Sequence, residues 1–496
     1  MDAKTICSRI VLETTSYPEI EDGALLETDV LVIGSGAGGA VAAKILAEAG
    51  RSVTVVEEGA LSSPKDLGDD PEARIQKLWR SGVETLADGS VPIHIPTGRA
   101  VGGTTFIGCG SLMRTPSRVL DRWVDWGLDH LSADQMAAEF IEIEEVLSVH
   151  PMGDALIGRN GELLRDGAKA LGFTSAPVPR SVVDCEGSGI CVLGCPTEAK
   201  QSVDLTYLPR ARLNGAKVIE RVRIDSLLMD SGRAGGVRGT LLDANGRERG
   251  AVKFTANDIV LAAGYLHTPK LMATADLGNP EHVGRHLQIH PCAGVVGVFE
   301  DDVSSAPAAV QTWYVDHFAE SHGVLIEATS LIPEMSPGLD TSRMAYVAVF
   351  AADTGEGDLI ADGESGLRPR YEIHPDDVTA LGFGVFQSAR ILLAAGARAV
   401  LTGHKEMPKV TSFAEAEALS QLRWEPAYFK PVSFHPVGTA RMGADPEVSV
   451  VDTGGRVWGI PNLRVADASI LPCCPEVNPQ ETIMAVAAKV ARSAAQ

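Results

Sequence analysis

The sequence predicts an α/β fold in which a parallel, nucleotide-type sheet is assembled from pieces far apart in the chain, with a second unit inserted between them. Three observations carry this reading. A strand, a glycine-rich turn, a helix and a second strand occupy Asp29–Gly59. A buried strand ending in glycine spans Asp258–Gly264, and a short strand with a terminal helix follows at Leu463–Ala466 and Gln480–Ala495. At 496 residues the chain exceeds what one hydrophobic core usually holds. Residues 20–130, 200–290 and 430–496 are therefore expected to form the nucleotide-binding domain. Residues 131–199 and 291–429 are expected to form an α+β substrate-binding domain on an antiparallel sheet.

The elements follow in order. Residues 29–34 are apolar almost throughout, as a central parallel strand should be. A helix is expected over about Ala40–Ala49, ended by Gly50, and a second strand at Ser52–Val56 that closes on Glu57. Residues 60–97 read as polar loop, and Gly98–Gly110 as a glycine-rich loop. The apolar spacing over Ala133–Val149 predicts an amphipathic helix, with Ser132 placed to cap it. From Lys217 to Gly250, short strands alternate with turn signals and predict a small antiparallel meander. A helix is expected near Thr268–Thr274. Residues 290–375 are irregular, with a strand at Ala345–Phe350, and Asp376–Ala395 is a helix ended by Gly396.

Composition narrows the function classes. The net charge of −22 is dispersed, which argues against nucleic acid and anionic membranes as partners. No apolar run approaches the roughly 20 residues that cross a bilayer, and the first residues lack the basic start and apolar run of a secretory signal. Cytoplasmic residence is the expectation. The eight cysteines do not make a disulfide scaffold in a chain of this size.

The turn at Gly34-Ser-Gly36-Ala-Gly38-Gly39 has the spacing of a Rossmann dinucleotide fingerprint. Gly34 permits the tight turn, Gly36 lets backbone approach a pyrophosphate, and Gly39 lets helix and strand pack closely. The helix N-terminus then offers unpaired N–H groups and partial positive charge to phosphates. Glu57 stands where an acid that binds ribose hydroxyls belongs, with Glu58 its neighbouring alternative.

With Gly98-Arg-Ala-Val-Gly-Gly-Thr-Thr105, Val260-Leu-Ala-Ala-Gly264, Thr268-Pro269, Val283-Gly-Arg-His-Leu-Gln-Ile-His-Pro291 and the block from Phe434 to Thr482, the chain resembles the glucose–methanol–choline (GMC) family of FAD-dependent oxidoreductases. The likeness covers most of the length. It is nearest to a branch carrying a segment like Cys191-Val-Leu-Gly-Cys195-Pro196, which includes long-chain alcohol oxidases and sugar dehydrogenases. The resemblance implies FAD, with Gly102, Gly103 and Thr104 along the pyrophosphate and flavin. It places Val222 at the adenine end, Asp467 at the ribityl–pyrophosphate region and Pro479 beside the cofactor. Asp467 also fits a helix cap after a strand. Many members carry asparagine where this chain has Gly108, so one flavin contact is absent or comes from elsewhere. No histidine lies in Thr104–Cys109, so the flavin is expected to be non-covalent.

The same resemblance implies the chemistry. His435, in a His-x-x-Gly-Thr-x-Arg-Met-Gly motif, matches the family's base, and Asn478 matches the partner that holds the same hydroxyl. A neutral imidazole suits removal of an alcohol proton, after which the α-hydride passes to flavin N5. The substrate expected is a small-molecule alcohol: sugar-derived, aminoglycoside-like or long-chain. The electron acceptor is oxygen or a quinone or protein carrier. The alternative is a lyase of the same family without net redox chemistry. His290 is read as structural packing, and Cys473 and Cys474 as lining the substrate pocket. Cys185, Cys191 and Cys195 are spaced poorly for zinc. They are structural thiols in a loop over the flavin, or ligands of a 3Fe–4S cluster such as some sugar dehydrogenases of the family hold there.

Overall fold

The computed structural model describes residues 12–16, 19–83, 85–304, 307–330, 338, 340–363 and 366–496; Cys7 lies outside them. The apolar run that begins the chain's nucleotide pattern forms the strand Ala24–Ile33, whose last four residues are fully buried. It sits in a seven-stranded sheet with Val53–Val56 and Lys217–Ile219 on one side and the 14-residue strand Glu248–Leu261 on the other. Val30 pairs with Val53 and with Asp258, both in parallel. Leu463–Val465 joins from the far end of the sequence, with Ile259 opposite Leu463 and Leu261 opposite Val465.

The expected meander is present as Val222–Asp230, Arg233–Leu242 and the first half of Glu248–Leu261. Two details differ. Lys217–Ile219 is a parallel edge strand beside Val53–Val56 rather than part of the meander. Asp258–Leu261 is no separate strand but the end of the one that begins at Glu248. One long strand thus serves antiparallel neighbours with its first half and parallel ones with its second.

Helix Ala37–Glu48 packs on helix Gln480–Ala495. Both present alanine: Ala40, Ala42, Ala43 and Ala47 from one, Ala485, Ala487, Ala488 and Ala491 from the other, all buried. Small side chains let the two axes approach closely, so the gain comes from backbone-level packing rather than large apolar groups. Helix Ala133–Leu147 covers the terminal helix and ends at Ser148 in the left-handed region (φ 52°). Ser132 precedes it but makes no side-chain cap bond.

The stretch read as loop over 60–97 contains helices at Pro64–Leu67 and Pro71–Leu78. Each starts on a side-chain cap followed by proline, Ser63 with Asp66 in one and Asp70 with the Glu72 N–H in the other. These caps and N1 prolines define short polar helices that apolar periodicity does not reveal. The Gly98–Gly110 loop likewise holds one helical turn at Thr104–Ile107.

Residues 290–375 are more regular than their sequence suggests. Cys292–Val298, Met344–Ala351, Val324–Thr329 and Gln311–Val315 are consecutive neighbours in a second seven-stranded sheet, extended by Ser175–Pro177, Ala399–Leu401 and Lys409–Val410. All its pairings are antiparallel. Helix Pro375–Ala394 covers one face, where a Cβ on Gly384 would meet Val349 at 2.3 Å. This sheet has its own core, which also takes in Ala87, Ile93 and Ile95. The α/β class with an antiparallel second sheet is as expected.

Among the described residues, no helix is long and apolar enough to cross a membrane. The parallel strands converge at their carboxyl ends, and there the backbone is crowded. A Cβ on Gly38 would stand 1.8 Å from the Ala466 carbonyl oxygen. Gly38→Ala is therefore expected to lower stability by about 3 kcal/mol, read as a lower urea midpoint with an unchanged m-value.

Candidate active site

The carboxyl ends of the parallel strands open onto a cavity of ≈ 460 Å³ that reaches between the two sheets. Open α/β sheets bind ligands in this position. At one end it is lined by Gly34, Gly36, Gly38, Glu57, Glu58, Val222 and Asp467. At the other it is lined by His435, Asn478, Pro479, Cys292, Gln311, Tyr346 and Phe350. Gly103, Thr104 and Gly108 lie along the wall as well.

The glycines leave room that a side chain would fill. Gly34 has φ 102°, and a Cβ there would stand 2.2 Å from the Ala262 carbonyl oxygen. Gly103 (φ 54°) passes directly over Gly36, with 2.7 Å from its notional Cβ to the Gly36 Cα. Two sequence-predicted positions do not reach the cavity. A Cβ on Gly39 would meet the Gly34 carbonyl oxygen at 2.0 Å, so Gly39 serves the turn's packing. Gly102 donates its N–H to Ser35 Oγ at 3.0 Å behind the wall.

Helices Ala37–Glu48 and Gln480–Ala495 both begin at the cavity, with Ala37, Gly38, Gln480 and Ile483 in its lining. Neither Gly36 nor Pro479 supplies a side-chain cap. Two helix N-termini thus present open N–H groups and positive dipole ends to the same space, which favours anionic groups.

The acids at the glycine-turn end have distinct tasks. Glu57 Oε2 accepts from the Ser35 N–H (3.0 Å) and hydroxyl (2.8 Å), and Oε1 accepts from the Gly59 N–H at 2.8 Å. Burial raises its pKa, opposed by those bonds. Burial also works against charge on Glu58, but Arg80 at 2.8 Å holds its pKa below the usual carboxylate value. Asp467 is buried and accepts from the Gly264 N–H, Thr268 Oγ1 and Ser469. It caps the turn Ala468–Ile470 and lines the cavity at once.

At the opposite end, His435 is buried against Phe350, ring centroids 5.3 Å apart. Its Nδ1 lies 3.0 Å from His290 Nδ1. One of these nitrogens must donate to the other, so a His435 that carries its proton on Nδ1 keeps Nε2 as an acceptor. Burial drives the His435 pKa down to about 3, and burial together with His435 drives that of His290 well below its ordinary value. Burial thus favours the neutral form of both rings. His290 is held in the left-handed region (φ 53°) while its N–H donates to both carboxylate oxygens of Asp353 at 3.0 Å. For a histidine this backbone is strained, and the buried carboxylate is what holds it. The sequence suggests structural packing for His290; in the structure it packs on Phe350 and is also in direct contact with His435. Asn478 is buried in the same wall, and its Oδ1 has no hydrogen-bond partner.

The cysteine expectations need correction. Cys473 and Cys474 are buried outside the cavity lining, and Cys473 Sγ accepts from Trp123 Nε1 at 3.1 Å. All seven described cysteines are free. Cys185, Cys191 and Cys195 do not form a ligand set. Cys185 packs by Met152, Ile157 and Val182, Cys191 Sγ accepts from the Arg180 guanidinium at 3.5 Å, and Cys195 Sγ is 3.7 Å from Thr197 Oγ1. Among the described residues no three His, Cys, Asp or Glu side chains are grouped as metal ligands. These residues do not fit an iron–sulfur cluster. Buried Lys200, which donates to the Gly108 and Cys191 carbonyl oxygens, ties this loop to the cavity wall instead.

Sequence reasoning passed over Gln311, Glu327 and the aromatic wall at Tyr346 and Phe350. Glu327 did leave a signal, as a lone acid in the otherwise apolar run Val324–Ala328.

Comparison with known proteins agrees with this geometry. The GMC oxidoreductase N-terminal domain matches residues 28–292 and the C-terminal domain residues 359–487. A GMC-type oxidoreductase of Mycobacterium tuberculosis is 39% identical over 97% of this chain and 77% of its own length. A long-chain-alcohol oxidase of Arabidopsis thaliana is 27% identical over 98% of this chain and 69% of its own. Choline oxidase of Arthrobacter globiformis is 27% identical over 95% of each. Among solved structures, pyridoxine 4-oxidase from Mesorbium loti superposes with a TM-score of 0.73 at 19% identity, covering 94% of this chain and 98% of that one. The chain belongs to the GMC oxidoreductase family, as an FAD-dependent enzyme acting on CH–OH donors.

Proposed function

We propose that this chain oxidises an uncharged primary or secondary alcohol to the carbonyl, with FAD held non-covalently along the cavity. The observation that carries the reading is the placement of His435 and Asn478 on one wall of the cavity that begins at the Gly34–Gly38 turn. Gly34, Gly36, Gly103, Thr104, Glu57, Val222, Asp467 and Pro479 are the residues that would hold the cofactor. Gln480, whose Oε1 is 3.7 Å from a notional Cβ on Gly108, stands where it would replace the contact that Gly108 cannot make. When bound, FAD accepts the hydride.

The chain's own residues do the rest. Asn478 holds the substrate oxygen, and His435 Nε2 takes the hydroxyl proton while His290 keeps the imidazole in one tautomer and orientation. A base with a pKa near 3 is weak. It suffices here because the hydroxyl proton becomes strongly acidic as the α-carbon is oxidised. Burial behind Phe350 excludes water from the pair. The walls near His435, built from Cys292, Val310, Tyr346, Ala348, Phe350 and Val432, are apolar or aromatic. They support an alcohol with an apolar chain over a sugar or polyamine. The relatives named as oxidases support oxygen as acceptor. Nothing in the comparisons favours the lyase alternative.

We assign residues 20–130, 200–290 and 430–496 to the FAD-binding domain and 131–199 and 291–429 to the substrate domain. The two cores support that division in outline, with two exchanges: Leu131, Met136, Phe140, Ile143 and Leu147 pack in the first core, while Ala87, Ile93, Tyr265, Leu287 and Ile289 pack in the second.

An alcohol panel assayed with oxygen and with a dye acceptor tests the reading; bleaching of the flavin band under anaerobic conditions is the expected result, and turnover without bleaching would overturn it. His435→Ala is expected to keep its FAD but lose roughly a hundredfold to ten-thousandfold in the rate of flavin reduction. Because His435 stays neutral in the folded protein, that rate should hold level as pH falls through about 6.5, the ordinary histidine value; stopped-flow reduction across this range checks it. Purified protein should contain stoichiometric FAD, released by acid, without stoichiometric iron or acid-labile sulfide.

A further inference from the structure

Residues 107–111 all line the cavity. Gly108 stands beside Gln480, and Ser111 Oγ donates to Gln311 Oε1 at 2.6 Å, at the end that holds His435 and Asn478. The carbonyl oxygens of this segment are bound from behind the wall, by residues outside the lining. Lys200 Nζ donates to the Phe106 oxygen, to that of Gly108 at 2.8 Å and to that of Cys191 at 3.2 Å. The Arg180 guanidinium donates to the Cys109 carbonyl oxygen, and to that of Gln311 at 2.6 Å. The Ser181 N–H donates to the Gly110 carbonyl oxygen at 2.9 Å.

In a trans peptide the N–H points opposite to the carbonyl oxygen. The bound oxygens of Gly108, Cys109 and Gly110 therefore turn the N–H groups of Cys109, Gly110 and Ser111 toward the cavity. Gly110 (φ 82°) supplies the left-handed turn that lets successive N–H groups converge. Among the described residues none of these three N–H groups has a hydrogen-bond partner.

The groups behind the wall are cations. Three acceptors take up all three hydrogens of an ammonium group, so Lys200 is charged although burial pulls its pKa down. Arg180 is charged at any working pH. Both are buried, and among the described residues no carboxylate forms an ion pair with either. The arginines of the lining itself are paired, Arg80 with Glu58, and Arg223 with Asp225 and Glu248. Buried charge without a counter-charge is costly. Here the cost is borne beside a row of free donors, an arrangement that suits negative charge in the cavity.

We propose that Lys200 and Arg180 are positioning residues for the flavin. They aim the Cys109, Gly110 and Ser111 N–H groups at the ring and hold a positive potential over it. The inference rests on the alcohol-oxidation reading above. In that reaction one proton goes to His435 and one hydride to the ring, which ends one negative charge richer. Fixed cations and oriented N–H dipoles favour that charge over the neutral ring that precedes it.

The test reads the bound cofactor with no alcohol present. Sulfite, which adds to a flavin and leaves it anionic, is titrated into wild-type, Lys200→Gln and Lys200→Arg holoenzymes, and the flavin reduction potential of each is measured. Glutamine keeps amide donors for the carbonyl oxygens but loses the charge. Lys200→Gln should retain FAD, bind sulfite roughly tenfold more weakly and show a lower potential. Arginine keeps the charge, and Lys200→Arg should stay near wild type. A Lys200→Gln holoenzyme with wild-type sulfite affinity and potential would overturn the proposal, since a mere tie between loop and wall moves neither. A shift in Lys200→Arg as large as that in Lys200→Gln would do the same. A further measurement needs no variant: reduced anaerobically with dithionite, the wild-type flavin should keep its anionic spectrum through mildly acidic pH. The neutral reduced spectrum there also overturns the proposal. Failure of every alcohol as a substrate would sink the oxidation reading and leave these measurements to decide this one.

Discussion

The structure depends on backbone meeting backbone where a Cβ has no room. At the carboxyl ends of Ala24–Ile33, Glu248–Leu261 and Leu463–Val465, four chain segments come within contact distance. Gly34 lies on Ala262, Gly38 on Ala466, and Gly103 on Gly36. The first contact seats the turn on the long strand. The second draws the C-terminal strand under the first helix, and the third folds the Gly98–Gly110 segment over both. The walls of the cavity are these contacts, so its shape is set by main chain rather than by adjustable side chains. Such a wall is rigid, which suits a site that must hold a large cofactor in one place.

The end of the cavity lined by His435 and Asn478 is organised on the opposite principle. There the walls are side chains, and burial rather than backbone sets their properties. The same exclusion of water that keeps His435 and His290 neutral raises the carboxyl groups of Glu327 and Asp353. Charge is removed from both kinds of group together, leaving neutral donors and acceptors whose directions matter more than their charges. Full charges are kept at the other end, where Glu58 pairs with Arg80.

How much of this was legible in the sequence follows from the physics of each part. The fingerprint at Gly34–Gly39 and the strands around it were readable because local requirements dictate them. A buried parallel strand must be apolar, and a tight turn must be glycine. Helices Pro375–Ala394 and Gln480–Ala495 were legible for the same reason, through their period and their stops. An antiparallel second sheet and its strand at Ala345–Phe350 were legible, but most of its other strands were not, because they are fixed by partners tens of residues away and Gly294 and Gly297 interrupt the pattern of Cys292–Val298. The contact between His290 and His435 was not legible, because the two residues are 145 positions apart. For the three clustered cysteines the sequence left structural thiols and shared ligation both open; what separates the two is which groups surround them, and Cys191 meets the Arg180 guanidinium through its sulfur and Lys200 through its carbonyl oxygen.

The strand Glu248–Leu261 bears on how the protein is made. Its partner Leu463–Val465 is separated from it by about two hundred residues, so ribosomal synthesis exposes one flank of Val260 until the last strand has emerged. That late strand brings Asp467 and Asn478 behind it, with His435 just ahead. The element that completes the sheet is thus part of the segment that carries the proposed reacting pair, His435 and Asn478. A chain caught before this closure holds an open edge and an unfinished cavity, and it passes from aggregation-prone intermediate to competent enzyme in one docking event.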